Sequence, residues 1–329
     1  MRILLVGSHN NGVYYHRLFI PYQALSRNGH EIMCTLTIDG ITLEECKQFD
    51  AVVFNRNISA KFDPFPVFAL LKLAGTKIIM DLDDYWDISP GHPMYQYARK
   101  TNFAQCIVDQ LKHADFITTT HAYLRSFIVK EGIPKSRVFI CKNAIDPLEG
   151  QYNQDYSYSN DLFWQGSSTH AMDLELLSEI EQPITLGGYH YSDEWFEMCS
   201  KIKWPLKKDA LPMQEYMNLY RNTGISLIPL KLNKFNRFKS ELKMIEAGWA
   251  SKPVIVSSIH PYSIISDHMV NCVVAHNSAD FKRWTELLLR NENLQDDLRF
   301  KLNEDIKTKY TIDKPNALRE EILNLCQRN

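Results

Sequence analysis

Short apolar runs alternate with longer amphipathic segments through the first half of the chain. Strand-like runs are predicted at residues 2–7, 31–37, 51–54, 77–80, 116–119 and 138–141. Helical spacing of apolar residues separates most of these runs, at residues 14–27, 65–74, 102–113 and 122–131. Uninterrupted apolar strands that alternate with helices are typical of a parallel sheet covered on both faces. Such sheets bind ligands at the carboxyl ends of their strands.

The same alternation returns after residues 147–160, a polar and turn-rich stretch typical of a linker. Further strands are predicted at residues 162–165, 184–186, 225–229, 253–256 and 272–275. Further helices are predicted from about residue 171 and at residues 193–201, 213–221, 239–249, 279–290, 294–309 and 314–326.

This pattern predicts an α/β protein with two Rossmann-like, doubly wound domains facing each other across a cleft. The predicted N-terminal domain spans residues 1–150, the linker 151–160 and the C-terminal domain 161–310. A final helix, within residues 311–329, closes the chain and is expected to pack back on the N-terminal domain.

The composition is that of an ordinary globular protein, with 45% hydrophobic residues among 329. A net charge of −2 provides no overall attraction to nucleic acid or to an anionic membrane. Nucleic acid is disfavoured as a partner but is not excluded, because the sequence contains two local basic clusters. These are Lys201, Lys203, Lys207 and Lys208, then Lys231, Lys234, Arg237 and Lys239.

The cellular setting is predicted to be the cytoplasm. The seven cysteines are dispersed and form no CxxC pair, which is typical of reduced thiols. No apolar run approaches the ~18 residues needed to span a bilayer, so no transmembrane segment is expected. The oligomeric state is left open.

The strongest chemical signal lies in residues 237–257, where a polar helix precedes a buried strand. Lys239, Lys243 and Glu246 stand at i, i+4 and i+7, which predicts that they share one face of the helix. Ammonium groups near a helix start suit a pyrophosphate, and a carboxylate suits the two hydroxyls of a ribose. The alternative is an exposed helix face with one ion pair.

One glycine-containing loop follows the first strand of each predicted domain. The loop that ends at Gly12 is not GxGxxG, and no acidic residue ends the second strand, which argues against a dinucleotide site. Gly12 still permits close approach of a ligand, although a tight turn explains it equally well. Gly166 and Ser167 open the first helix of the second domain, where backbone N–H groups can hold a phosphate.

Asp81, Asp83 and Asp84 follow the apolar strand at residues 77–80. Three interpretations compete: a Mg²⁺ or Mn²⁺ site, a phosphatase-type nucleophile, or a metal-free pocket for sugar hydroxyls. Plain helix capping is the structural alternative. We favour the metal-free pocket, because no other acidic ligands cluster nearby and a phosphatase nucleophile belongs on the first strand rather than the fourth.

Taken in order along nearly the whole chain, these segments resemble GT-B glycosyltransferases, specifically the retaining, family 4-like group. The resemblance is carried by Tyr15-His16-Arg17, Asp81-Leu82-Asp83-Asp84, Lys142-Asn143-Ala144-Ile145-Asp146, Trp164-Gln165-Gly166-Ser167, residues 215–230 and Lys239-Ser240-Glu241-Leu242-Lys243-Met244-Ile245-Glu246-Ala247. By this resemblance Glu246 would bind the ribose of the donor. The family often has a second glutamate eight positions before that one. Phe238 occupies that position here, which leaves open how the donor sugar is held.

The resemblance and the residue patterns together define three groups of candidate residues. Donor binding is assigned to Gly12, Gly166, Ser167, Lys239, Ser240, Lys243 and Glu246. Acceptor binding is assigned to Asp81, Asp83, Tyr15, Arg17 and Asn143. Catalysis is assigned to Asp83, Asp84, His121 and Lys243. His121 and His170 stand at strand–helix junctions, where capping explains a histidine as well as function does.

The implied reaction moves a sugar from a nucleoside diphosphate, such as a UDP-sugar, to an acceptor hydroxyl with retention of configuration. It is of the hexosyltransferase type and needs neither a metal nor a cofactor beyond the nucleotide-sugar co-substrate. The acceptor is a glycan, another hydroxyl compound or a hydroxymethylated base in nucleic acid. Two alternatives stay open: a GT-B nucleotide-sugar epimerase, and a non-catalytic nucleotide-sugar binding module.

Overall fold

Two six-stranded sheets, parallel at every strand pair, form the framework of the chain in a computed structural model. The structure describes residues 1–59, 63–88, 90 and 92–328. The predicted fold class, two Rossmann-like α/β sheets followed by a C-terminal helix, is confirmed. By their contacts the residues separate into two units, Met1–Asp146 with Ile312–Asn329, and Pro147–Thr311.

The strands of the first unit are β1 (Arg2–Val6), β2 (Glu31–Thr35), β3 (Ala51–Asn55), β4 (Lys77–Leu82), β5 (Phe116–Thr119) and β6 (Val138–Ile140). Its helices are α1 (Gly12–Tyr14), α2 (Ile20–Ser26), α3 (Leu43–Cys46), α4 (Phe65–Ala74), α5 (Tyr95–Lys100), α6 (Phe103–His113), α7 (Ala122–Lys130) and, after the second unit, α12 (Asp313–Arg328). A π-helical turn, Tyr15–Phe19, joins α1 to α2, and a 3₁₀ turn, Lys135–Arg137, precedes β6.

The first sheet has the strand order β2-β1-β3-β4-β5-β6, so the direction of winding reverses between β1 and β3. The strands supply apolar side chains such as Ile3, Val53 and Ile79 to the core on one face. Ile322 and Leu323 of α12 belong to the same core cluster. The C-terminal helix therefore completes the hydrophobic core of the first unit.

The strands of the second unit are β7 (Tyr158–Gln165), β8 (Ile184–Tyr189), β9 (Pro205–Asp209), β10 (Thr223–Ile228), β11 (Val254–Ser257) and β12 (Val273–Ala275). Its α-helices are α8 (Asp193–Cys199), α9 (Leu242–Trp249), α10 (Ser278–Leu289) and α11 (Glu292–Lys309). Short 3₁₀ segments lie at Gly150–Tyr152, Ser168–His170, Asp173–Leu177, Met213–Tyr220, Asn236–Phe238 and Tyr262–Ile264. The strand order is β12-β11-β10-β7-β8-β9, and the winding reverses between β10 and β7.

Several local predictions were wrong. Strand β9 and helices α3 and α5 were not predicted, and Asp173–Leu177 and Met213–Tyr220 form 3₁₀ segments where α-helices were expected. Strand β9 lies at the edge of its sheet, where charged residues are common, so its lysines resemble solvated loop residues in the sequence. Lys207 instead lies over the rings of Tyr189 and Phe196, and Lys208 donates to backbone carbonyls.

The start of α9 is a further correction. The helix begins at Leu242, and Lys239 has extended backbone angles (φ −65°, ψ 167°) after the 3₁₀ turn that ends at Phe238. Lys239 and Ser240 therefore precede the helix. Of the three residues predicted to share one helix face, only Lys243 and Glu246 lie on the helix. No helix among the described residues is both long and apolar enough to cross a membrane.

Candidate functional site

Lys243 and Gly166 meet at the point where the winding of the second sheet reverses. A Cβ atom on Gly166 would lie 2.8 Å from Nζ of Lys243 and 2.7 Å from the ring of Trp164. The ammonium lies 5.1 Å from the centroid of that ring, within the range of a cation–π contact. A Cβ at this position would clash with the buried Trp164 ring and crowd the ammonium, so glycine lets the lysine lie close to the loop after β7. Among the described residues no hydrogen bond or ion pair reaches Nζ, which leaves it able to bind an anion.

Gly188, near the end of β8, allows the loop after β7 to lie against that strand. Its backbone is left-handed (φ +91°), and a Cβ atom there would lie 2.6 Å from the carbonyl oxygen of Gly166. An L-residue would be strained and would displace the Gly166 loop. Next in that loop, the hydroxyls of Ser167 and Thr169 are 2.6 Å apart.

Glu246 lies one turn after Lys243 on α9 and is 2% exposed. Burial raises the pKa of Glu246 to about 8, although Lys243 and a hydrogen bond from Gln165 oppose the shift. Burial and the charge of Lys239 lower the pKa of Lys243 to about 8, against the opposite effect of Asp173 and Glu246. Both groups therefore change charge near pH 8, and a bound ligand can shift the pKa of either group.

Gln165, the last residue of β7, holds Glu246 in place. Its Nε2 donates to Oε2 of Glu246 at 3.0 Å and to the hydroxyl of Tyr220 at 3.2 Å. The hydroxyl of Tyr216 donates to Oε1 of the same amide. This chain of hydrogen bonds fixes which end of the amide faces the carboxylate.

His170 and Asp173 form a pair beside the lysines. Nδ1 of His170 lies 2.9 Å from Oδ2 of Asp173, and burial, with Lys243 nearby, lowers the pKa of His170 to about 3. The imidazole is therefore neutral near pH 7, with Nδ1–H donating to the carboxylate. Oδ1 of Asp173 accepts from the N–H of Lys231 and from Nδ2 of Asn236, each at 2.9 Å. Asp173 is therefore a buried anchor for the loop after β10.

In the first unit, Arg17 and Asp81 form a buried ion pair. Nη2 and Nε of Arg17 donate to the two carboxylate oxygens of Asp81 at 2.6 and 3.1 Å, and both residues are at most 3% exposed. Nη1 of Arg17 donates to the Cys141 carbonyl at 2.6 Å and to Oδ1 of Asn143 at 3.0 Å. Thr118 also donates to Asp81 at 2.7 Å. Arg17 therefore ties the π-helical turn to the ends of β4 and β6.

Asp83 and Asp84 are paired with Arg56, which follows β3. Nη2 of Arg56 lies 3.0 Å from Asp83 and 2.8 Å from Asp84, and Nδ2 of Asn55 lies 3.2 Å from Asp83. Burial opposes ionisation of Asp83, but Arg56 and Arg17 together hold its pKa below the usual range. The repulsion expected among three adjacent carboxylates is thus relieved by two arginines. The assignment of these aspartates to acceptor binding or catalysis stays a prediction.

The other predicted residues of the first unit have mainly structural contacts. His121 is 3% exposed and caps α7, because its Nδ1 accepts from the N–H of Leu124 at 3.2 Å. A neutral His121 therefore carries its proton on Nε2. Tyr15 is fully buried and stacks on Phe19. Gly12 is the first residue of α1, and its assignment to donor binding stays a prediction.

Sequence reasoning did not assign a role to four of the residues that build these networks: Asn55, Arg56, Gln165 and Tyr216. Gln165 belongs to the segment at residues 164–167 that carries the resemblance, but nothing in the sequence shows which way the last residue of a strand points. Arg56 has a left-handed backbone (φ 59°), which the sequence does not predict for an arginine.

Side chains able to ligate a metal stay apart in the part of the chain that the structure describes. It contains no group of three or more His, Cys, Asp or Glu side chains arranged to hold a metal ion. The metal-free chemistry expected for the site stays a prediction.

No protein-family model matches the chain. A search of curated proteins finds no significant match. Solved structures do resemble it, including HepE from Anabaena in complex with UDP and glucose (TM-score 0.65, 12% identity, covering 98% of this chain and 99% of that one). Sucrose-phosphate synthase from Thermosynechococcus elongatus has a TM-score of 0.67 at 10% identity and 99% and 98% coverage. A glycosyltransferase from Rickettsia africae has a TM-score of 0.62 at 10% identity and 100% and 99% coverage. Over nearly its whole length, the chain therefore has a fold found in glycosyltransferases.

Proposed function

We propose that the protein is a glycosyltransferase that moves a sugar from a nucleoside-diphosphate sugar to an acceptor hydroxyl. One observation carries the proposal: the ammonium of Lys243 has no ion-pair partner among the described residues and lies against the Gly166 loop where the winding of the second sheet reverses. Open α/β sheets bind ligands at this position. The similar Anabaena protein is described as binding UDP and UDP-glucose, so UDP-glucose is the first donor to test.

The chemical task is to stabilise charge that builds on the departing diphosphate. Lys243, and the backbone N–H groups of the first turn of α9, would supply fixed positive charge next to that group. The buried carboxylate of Glu246 would accept hydrogen bonds from the ribose diol. We further propose that the acceptor proton passes to a leaving phosphate oxygen, that configuration is retained, and that no cofactor beyond the co-substrate is used.

Replacing Glu246 with alanine is expected to weaken UDP binding about 10- to 100-fold, because hydrogen bonds to a charged group contribute about 1.5–3 kcal/mol. Isothermal titration calorimetry of the parent and the variant at pH 9, where Glu246 is ionised, measures the change. Glu304→Ala is the matched control, since Glu304 is an exposed glutamate on α11 of the same unit. Equal UDP affinity in the Glu246 variant and the parent would refute the ribose assignment.

Donor binding is expected to depend on pH in opposite directions for the two buried groups. The ribose diol favours ionised Glu246, so this contribution grows as pH rises through about 8. The diphosphate favours protonated Lys243, so its contribution is complete at low pH and is lost as pH rises above about 8. Glu246→Gln should therefore leave an affinity for UDP-glucose that falls above pH 8, and Lys243→Met an affinity that rises from pH 6 to pH 9. Titrations at several pH values test this, and two parallel profiles would contradict it.

A non-catalytic nucleotide-sugar binding module is the second candidate function, and Phe238 is the observation that favours it. Its side chain is fully buried, so it presents no polar group to a donor sugar. Incubation with UDP-glucose and a panel of hydroxyl acceptors separates the two functions. Donor hydrolysis or transfer supports the enzyme, whereas tight binding with neither reaction supports the binding module.

A further inference from the structure

A polar cavity of 270 Å³ lies in the first unit, outside the predicted acceptor residues. It is lined by Ser8 and Asn11 after β1, by Thr37 after β2, and by Asn55 and Asn57 at the end of β3. The carboxyl ends of these three neighbouring strands therefore surround it. The strand order β2-β1-β3 places it where the winding reverses, which is the usual ligand position in an open α/β sheet.

The chemistry of the lining points to an uncharged ligand. None of the described residues that line the cavity is charged; they are amides, hydroxyls, glycine and apolar side chains. Phosphate and nucleic-acid backbones are held by lysine, arginine or the N-terminus of a helix. Helix α1 beside the cavity continues through the π-helical turn into α2, but its N–H groups at Val13 and Tyr14 already donate to Oδ1 of Asn11, so this N-terminus is satisfied within the protein.

The hydrogen-bonding groups that remain around the cavity are both donors and acceptors. Oδ1 of Asn11 caps α1, and Oδ1 of Asn57 accepts from Gln110 at 2.9 Å, so the Nδ2 donors of both amides remain. Nδ2 of Asn55 donates to Asp81 at 2.9 Å, so its Oδ1 acceptor remains. Among the described residues no other hydrogen bond uses these three atoms. Hydroxyl groups, which donate and accept at once, match such a set.

We propose that this cavity is the acceptor subsite and that it binds one uncharged sugar or polyol ring. The proposal rests on the proposed function, because an acceptor is meaningful only if the protein transfers a sugar. Its volume is close to the lower limit of about 300 Å³ for small-molecule pockets, which suits one ring rather than an extended chain. Apolar Leu36 and Ile58 in the lining suit the C–H face of such a ring.

Replacing Thr37 with tryptophan, which places a large side chain at the exposed rim, tests the proposal. Saturation-transfer NMR measures binding of methyl α-D-glucopyranoside, maltose and myo-inositol, with glucose 6-phosphate and a hydroxymethylated oligonucleotide as charged probes. We expect the parent to bind at least one neutral probe more tightly than either charged one, and Thr37→Trp to weaken that binding at least tenfold. Ser136→Trp is the matched control, because Ser136 is exposed and precedes β6 at the opposite edge of the sheet.

The readouts separate failure of this proposal from failure of the proposed function. Both variants should bind UDP as the parent does, because the substitutions lie in the first unit and the proposed donor residues other than Gly12 lie in the second. A parent that binds no neutral probe, a preference for charged probes, or unchanged binding in Thr37→Trp would overturn the cavity assignment. A parent that binds no nucleoside diphosphate in a panel of UDP, GDP, ADP and TDP would overturn the glycosyltransferase proposal, and saccharide binding measured without donor would still decide what the cavity holds.

Discussion

Replacing Lys243 with methionine is expected to slow sugar transfer from UDP-glucose by about 10²- to 10³-fold, the usual effect of removing one group that stabilises charge in a transition state. Methionine retains an unbranched side chain as far as Cε and removes the ammonium, together with its cation–π contact with Trp164. The negative charge on the diphosphate increases as the bond to the sugar breaks. The loss should therefore be larger in kcat than in donor affinity.

The measurement is transfer to whichever acceptor the parent uses, or donor hydrolysis if that is the faster reaction, together with UDP-glucose affinity by calorimetry. Lys282→Met is the matched control, because Lys282 lies on α10 of the same unit and its side chain is 37% exposed. Parent-like turnover in the Lys243 variant would contradict its catalytic role. An equal loss in affinity and in turnover would indicate that Lys243 only binds the donor.

The sequence predicts the central strands well, because continuous apolar runs in a parallel sheet need no information from distant residues. Strand β5 has the predicted bounds, and α4 does as well. The start of α9 was wrong because helical periodicity continues backward through residues 239–241, whereas the 3₁₀ turn before it is fixed by packing. Phe238 is fully buried at the end of that turn.

The candidate site was only partly predictable, because most of its contacts join residues that are distant in the sequence. Lys243 and Glu246 lie three residues apart, so helical spacing alone places them together. The hydrogen-bond partner of Glu246 comes from a distant part of the chain, because Gln165 is 81 residues away. In the first unit, Asp81 is likewise 64 residues from its ion-pair partner Arg17. No local pattern connects such residues. Arg17 was therefore assigned to an acceptor, while the structure gives each of its donor nitrogens a protein acceptor.

That pairing predicts a large loss of stability in the first unit. Replacing Arg17 with methionine leaves the Asp81 carboxylate buried without its counter-charge, which typically costs about 3–5 kcal/mol. The two units need not unfold in one step, so a single global midpoint is a poor measure of the effect. Hydrogen-exchange mass spectrometry resolves it, with faster exchange expected in peptides from β1 and β4 and little change in peptides from β7 and β10.

The double variant Arg17→Met with Asp81→Asn distinguishes lost charge pairing from lost packing. The neutral amide that replaces the carboxylate needs no counter-ion, and its oxygen can still accept from Thr118, which donates to Asp81 at 2.7 Å. The double variant should therefore be more stable than Arg17→Met alone, since removing both charges avoids the unpaired carboxylate. Equal exchange in the single and double variants would mean that the guanidinium matters for packing rather than for charge. Parent-like exchange in Arg17→Met would show that the buried pair does not stabilise the first unit.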